Sequence, residues 1–227
     1  MKTLKKSNQQ TNTLPIIEIY KAIQGEGKYS GYPCTIVRVG GCNLRCSWCD
    51  TKYSYENEDI KSVGFISSEI QKINIGLVLI TGGEPLTNDN IYKLIENLNN
   101  HGNKIMLETN GSINVNKVPE YVHITMDLKC PSAWTKNDPN LYENIGHLKE
   151  SDEIKFVLKN EEDLKWVIDI CRSYGISEQL ASPPILQPVY ESLNAKDLSQ
   201  WILKSKVNFR LGLQLHKYIY AKDERGV

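Results

Sequence analysis

Apolar residues recur along this chain in two rhythms. Near-continuous runs of β-forming residues stand at TIVRVGG (35–41), GLVLITGG (76–83), NKIMLETNG (103–111), YVHITMDLK (121–129), DEIKFVLK (152–159), PPILQP (183–188) and NFRLGLQLH (208–216). Between several of them lie SSEIQKINI (67–75), NDNIYKLIENLNNHG (88–102), NEEDLKWVIDICRSYG (160–175) and AKDLSQWILKSK (195–206), whose apolar positions fall three and four apart. That spacing predicts helices with one buried face. Gly102 and Gly175 stand where a left-handed residue closes a helix. Strands apolar on both faces and separated by helices predict a parallel sheet with right-handed crossovers. The expected fold is therefore α/β, an open or closed barrel in one domain over residues 14–227. Residues 1–13, MKTLKKSNQQTNT, hold too little apolar surface to order themselves and are expected as a polar, disordered tail. Trp166 and Trp201 fall on apolar helix faces and are expected in the core, and the acids of KNEEDLK are expected on a solvated helix start, at the positive end of its dipole.

Charge and composition then remove whole classes of function. Lys plus Arg balance Asp plus Glu at 27 each, so no overall basic field exists to hold nucleic acid. No apolar run approaches the ~20 residues of a membrane helix, and the first residues lack the apolar stretch of a signal peptide. No nucleic acid, no membrane and a cytoplasmic location are the expectations. Thiols stay reduced in that compartment, which gives meaning to GGCNLRCSWCDTKYS, Gly40 to Ser54, with Cys42, Cys46 and Cys49 inside eight residues. Three thiolates are one short of a structural zinc site and cannot all pair as disulfides. They suit a four-iron cluster whose fourth iron is left open to an outside ligand. A zinc knuckle that recruits Cys34 or Cys130 as a fourth ligand is the alternative; Cys171 is the remaining cysteine.

Position adds a second argument. CNLRCSWC follows TIVRV, TGGEP follows LVLI, ETNG follows KIML, DLKCPSAW follows HITM, and QPVY follows PPIL. Every unusual motif thus sits at the carboxyl end of an expected strand, where an α/β fold gathers its chemistry into one cavity.

The spacing C-x3-C-x2-C with Trp48 before the last cysteine resembles the motif of radical S-adenosylmethionine enzymes. In that family a [4Fe-4S] cluster bound by the three cysteines is chelated by S-adenosylmethionine at its open iron. One electron then cleaves the sulfonium bond to give a 5′-deoxyadenosyl radical. TGGEP resembles the family's second motif, so Gly82, Gly83 and Glu84 are implied to receive the methionine end of the cofactor. Within the superfamily, AIQGEGKYSGYPCTIVRVGGCNLRCSWCDT, DLKCPSAW, SPPILQP and LGLQLHKYIYAKDERGV resemble the 7-carboxy-7-deazaguanine synthases of queuosine and deazapurine biosynthesis. That resemblance covers nearly everything after the tail, and it implies rearrangement of 6-carboxy-5,6,7,8-tetrahydropterin with loss of ammonia.

The resemblance also implies roles residue by residue. Ile23, Gln24, Gly25, Arg38 and Thr81 would contact substrate, with Arg38 holding its carboxylate as a planar fork can. Thr51 would bind Mg2+. Cys130, Pro131, Ser132, Gln187, Pro188, Val189 and Tyr190 would line the S-adenosylmethionine site, although Cys130-Pro131-Ser132 stands where many members have Ser-Pro-Lys, so no lysine contact carries over. Trp48 would shield the cluster. A flavodoxin- or ferredoxin-type electron donor and a homodimer are further implications, and Glu108 and His216 are left without a role. Two rivals stand beside this reading: an activase that makes a glycyl radical on a partner protein, and a non-catalytic zinc-binding module.

Overall fold

The computed structural model of the protein describes residues 12–55, 59–221 and 224–226. Residues 1–11 of the expected tail lie outside the described residues, and Thr13, expected at its end, opens the first strand. Nine strands form one sheet: β1 (Thr13–Ile23), β2 (Pro33–Val39), β3 (Ile60–Ser62), β4 (Leu77–Gly82), β5 (Lys104–Thr109), β6 (His123–Leu128), β7 (Glu153–Leu158), β8 (Ile185–Pro188) and β9 (Arg210–Leu211), in the order β3-β1-β2-β4-β5-β6-β7-β8-β9. The helices are α1 (Val63–Ile73), α2 (Asn90–Asn100), α3 (Glu161–Ser173), α4 (Ile176–Gln179), α5 (Ala195–Lys204) and α6 (His216–Ile219). From β2 to β9 every neighbouring pair is parallel, whereas β1 runs antiparallel to both β2 and β3. The expected parallel barrel is thus present in its open form, with β3 and β9 at the edges.

The strands β2 and β4 to β9 match the apolar runs, while β1 and β3 are additions. β1 has no single period because a bulge falls between Ile16 and Glu18. Before it, Leu14 and Ile16 point into the helix-covered core; beyond it, Tyr20 and Ala22 pack on the opposite side of the sheet. One inserted residue reverses the alternation of faces, which hides the strand from a period-2 reading.

Helix signals in the sequence correspond to caps and buried stripes. In α2, Ile91, Leu94, Ile95 and Leu98 are wholly buried, at the i, i+3, i+4, i+7 spacing of one face, and burying each such side chain contributes roughly 1.5–3 kcal/mol. Ser62 accepts the Phe65 N–H at the start of α1 and Asn160 accepts the Asp163 N–H at the start of α3, each satisfying a backbone donor that the helix itself cannot. Gly102 and Gly175 both take positive φ, at 77° and 59°, as their stop role requires. Trp166 and Trp201 pack against the core.

Two apolar clusters divide the sheet. The larger lies between the strands and the helices. A smaller one, formed by Cys34, Ile36, Leu79 and Met106 with Tyr20, Ala22, Tyr29 and Leu77, occupies the inner face away from the helices. Further along the same strands that inner face turns polar, and there the candidate chemistry is gathered.

Candidate active site

The cysteine loop leaves the carboxyl end of β2 and is pinned at once to its neighbour. Gly83 N donates to Val39 O at 3.0 Å, Glu84 N to Gly41 O at 2.8 Å, and Gly41 N to Ser54 O at 2.8 Å. A Cβ on Gly83 would lie 1.8 Å from Gly41 O, so glycine is the residue that lets the TGGEP loop run against the cysteine loop. Cys42, Cys46 and Cys49 are free and half-buried. Leu44 N lies 3.4 Å from Cys42 Sγ and Asn110 Nδ2 3.9 Å from it, the kind of sulfur contact that tunes a bound cluster. Burial raises the pKa of the Cys42 and Cys46 thiols, so holding them as thiolates is work left to a bound metal. Among the described residues, no three His, Cys, Asp or Glu side chains are gathered around a point for a single ion. Three free thiols on one glycine-framed loop fit the donor set of an iron–sulfur cluster.

The loop after β6 closes the other flank. Ser47 N donates to Ala133 O at 3.0 Å, Ser47 Oγ to Ser132 O at 2.6 Å, and Trp48 Nε1 to Ser132 Oγ at 3.2 Å. Lys129 Nζ lies 5.8 Å from the centre of the Trp48 ring. Asp163 receives Ser132 N at 3.0 Å, Ser132 Oγ at 2.6 Å and Lys159 N at 2.8 Å. This corrects the reading of KNEEDLK as solvated throughout, since Asp163 is buried and fastens the Cys130–Ser132 segment to α3. Cys130 is wholly buried.

Glu84 follows on the TGGEP loop. It is wholly buried beneath the loop, accepting Leu86 N at 3.0 Å, Thr109 Oγ1 at 2.8 Å and Asn110 N at 2.6 Å. Burial raises its pKa against these donors. In the chain itself Glu84 joins the loops after β4 and β5, because a carboxylate buried this fully is held by its donors.

On the inner face the register brings Arg38 beside Thr81 and Asp127 beside Lys155. Thr81 Oγ1 donates to Glu108 Oε2 at 3.2 Å, and burial raises the Glu108 pKa. Arg38 gives its Nε–H to Glu18 at 2.6 Å and one Nη2–H to Tyr20 at 3.2 Å, leaving both Nη1 hydrogens and the second Nη2 hydrogen for another acceptor. Lys155 Nζ binds Glu26 Oε2 at 2.5 Å and lies 3.7 Å from Asp127 Oδ2. Burial alone would raise the Glu26 pKa, but the Lys155 ammonium outweighs it and the carboxyl is held low. The same ion pairing, with Asp127 and Glu108 adding to it, outweighs burial at Lys155 and keeps it charged. Asp127 Oδ1 is buried without a hydrogen-bond partner among the described residues, an acceptor suited to a ligand N–H or O–H.

The other expected residues border this lumen. Gln24 is buried, its side-chain oxygen accepting Gly25 N at 2.9 Å, and Leu215 N donates to Gly25 O at 3.1 Å. A Cβ on Gly25 would lie 2.8 Å from His216 Nδ1, so His216 belongs to the same wall; burial lowers its pKa. Ile23 ends β1. Thr51 Oγ1 donates to Asp50 Oδ1 at 2.9 Å, and Asp50 Oδ2 takes Lys217 at 3.1 Å and Gln214 at 3.3 Å. Gln187 is buried on β8, Val189 N donates to Leu158 O at 2.8 Å, and Tyr190 lies under Lys217 at 4.8 Å. A hollow of about 460 Å³ opens there between Pro188, Tyr190, Leu193, Leu213 and Tyr218. Glu26, Asp50, Asp127 and Lys155 are members that sequence reasoning missed. Glu26 lay inside QGEG, beside residues that it did single out.

The chain is similar to known proteins in sequence and in fold. Residues 36–132 match the Radical SAM superfamily. A 7-carboxy-7-deazaguanine synthase of Koribacter versatilis is 35% identical over 228 residues, covering 94% of this chain and 100% of the relative. One from Chlorobaculum tepidum is 33% identical over 216 residues, covering 94% and 97%. The crystal structure of QueE from Escherichia coli superposes with a TM-score of 0.75 at 23% identity, covering 89% of this chain and 94% of that one, a likeness of fold.

Proposed function

This chain belongs to the 7-carboxy-7-deazaguanine synthase family within the Radical SAM superfamily, and on that premise we propose that it is the enzyme that converts 6-carboxy-5,6,7,8-tetrahydropterin to 7-carboxy-7-deazaguanine with loss of ammonia. The observation that supports this reading most is the polar inner face: Arg38, Thr81, Glu108, Asp127 and the Lys155–Glu26 pair line one lumen below the cysteine loop. Such a lumen matches a small, carboxylated heterocycle rich in N–H groups. A protein-activating enzyme would need a docking surface in its place. No helix among the described residues is long and apolar enough to cross a membrane.

Cys42, Cys46 and Cys49 would hold the [4Fe-4S] cluster, which with S-adenosylmethionine would supply radical chemistry beside the lumen. The chain's own residues do the rest. Gly82, Gly83, Glu84, Cys130, Pro131, Ser132, Gln187, Pro188, Val189 and Tyr190 frame the S-adenosylmethionine site, and Asp163 braces that frame. Ile23, Gln24, Gly25 and Thr81 orient the pterin, Thr51 beside Asp50 offers oxygen to Mg2+, and Trp48 keeps water from the cluster. One electron per cleavage implies a low-potential donor of flavodoxin or ferredoxin type. A homodimer in the cytoplasm completes the proposal.

Arg38 carries the test of the substrate. Its free guanidinium hydrogens meet the pterin carboxylate, while Glu18 fixes its direction and so limits its loss of side-chain freedom. Losing one partner of a buried charged pair costs about 2–5 kcal/mol, so Arg38→Ala is expected to raise the pterin KM by roughly one to three decades at ~1.4 kcal/mol per decade. Iron content and uncoupled S-adenosylmethionine cleavage are expected to stay at the wild-type level. Wild-type turnover by Arg38→Ala at limiting pterin would move the carboxylate contact elsewhere.

A further inference from the structure

At the amino-terminal ends of the strands, opposite the cysteine loop, a short turn over Gly27–Tyr29 crosses the mouth of the sheet. Three strand starts, those of β5, β6 and β7, receive it. Lys28 N donates to Glu153 Oε2 at 2.8 Å, and the Tyr29 ring meets His123 edge-on at 5.4 Å between centroids. Lys104 Nζ lies 4.4 Å from the centre of the same ring. Glu153, 2% exposed, also binds His123 Nε2 at 3.2 Å and the Arg210 guanidinium. Gly27 has φ of +70°, and a Cβ there would stand 2.9 Å from Glu153 Oε2, so the backbone comes this close only because the residue is glycine.

We infer that the Gly27–Tyr29 turn is a plug for the floor of the lumen, and that Glu153 is the positioning residue that pins it and so sets Gln24, Gly25 and Glu26 in the substrate wall. The chain connection is two residues long: Glu153 holds Lys28, and Glu26 reaches Lys155, which is on the same strand as Glu153 and faces the same side. A carboxylate buried among the Lys28 N–H, His123 Nε2, the Arg210 guanidinium and Thr125 Oγ1 at 3.5 Å is a firm anchor, since its own loss would leave the buried donors among them unpaired. Plain scaffolding does not need this arrangement, because the helix-covered core lies on the other face of β7. The inference rests on the reading of Ile23–Gly25 as a substrate segment, and its test separates the two.

The experiment compares cluster-loaded wild type, Glu153→Ala and Glu153→Gln by hydrogen exchange of residues 24–32, by the KM for 6-carboxytetrahydropterin and by uncoupled S-adenosylmethionine cleavage. In Glu153→Ala the segment is expected to exchange faster and the pterin KM to rise by roughly 10- to 100-fold, with iron content and uncoupled cleavage unchanged. Glu153→Gln keeps an acceptor for Lys28 N–H and is expected to recover most of the KM. If Glu153→Ala does not fold, Arg210→Ala at the rim carries the same comparison, with a smaller shift expected in the same direction. Unchanged exchange in the variants overturns the plug, and faster exchange with a wild-type KM overturns the positioning role. Faster exchange in a protein whose wild type never turns over the pterin overturns the substrate reading and leaves the plug standing.

Discussion

Cys46→Ala protein, purified without oxygen, is expected to lack a full complement of iron and sulfide and to show no turnover, whereas Cys171→Ala keeps both. Cys42, Cys46 and Cys49 are the cysteines of one glycine-framed loop, so removing one leaves two thiolates to hold a four-iron cluster. Cys130 is too deeply buried to replace it. Cys171 lies on α3, 3% exposed and packed in the core, so its loss costs packing only, on the order of 1 kcal/mol. A Cys46→Ala protein with full iron and sulfide would show that the ligands are assigned wrongly. A colourless wild type carrying zinc would favour the binding-module alternative.

Lys155→Met is expected to be the most destabilising single change at the site. The ammonium stands between the Glu26 and Asp127 carboxylates, and the Lys155 and Glu26 side chains are 8% and 11% exposed. Removing one partner of a buried pair strands the other charge, at a cost of about 3–5 kcal/mol. The pH dependence has a definite sign. Glu26 is held below the ordinary carboxylate range in the folded protein, so its contribution is present above the unfolded pKa of about 4.3 and is lost as pH falls through the folded value. Lys155 is held above the ordinary lysine range, so its contribution stands below about pH 10.4 and is lost only as pH rises through the folded value. Urea unfolding midpoints at neutral pH and at pH 4 are the check. A Lys155→Met protein as stable as wild type at neutral pH would show that the lumen holds no such pair.

The parallel strands, the long helices and the shared end of the motifs were legible because each depends on local periodicity or on a rare spacing. Neither β1 nor the lumen was. The bulge in β1 reverses its faces at Ile17, and no local rule announces it. In β7, DEIKFVLK reads with the other runs as a strand apolar on both faces, although Glu153 and Lys155 interrupt one of them. The inner face of a barrel is buried as well, so Glu153 and Lys155 are buried charges that only the closing of the sheet reveals. The TGGEP motif marked the loop of Glu84 but gave no sign of its bonds to Thr109 and Asn110, which come from the end of the next strand. Asp163 was read as solvated for a similar reason: the helix start was right, and the loop that folds over it came from 31 residues earlier.

Anaerobic turnover tests the central claim most directly. Cluster-loaded protein, S-adenosylmethionine, a chemical reductant, Mg2+ and 6-carboxy-5,6,7,8-tetrahydropterin are incubated with no other protein present, and the products are resolved by mass. The account predicts 7-carboxy-7-deazaguanine and ammonia in equal amounts, many turnovers per enzyme. Reductive cleavage of S-adenosylmethionine with the pterin left intact would contradict it.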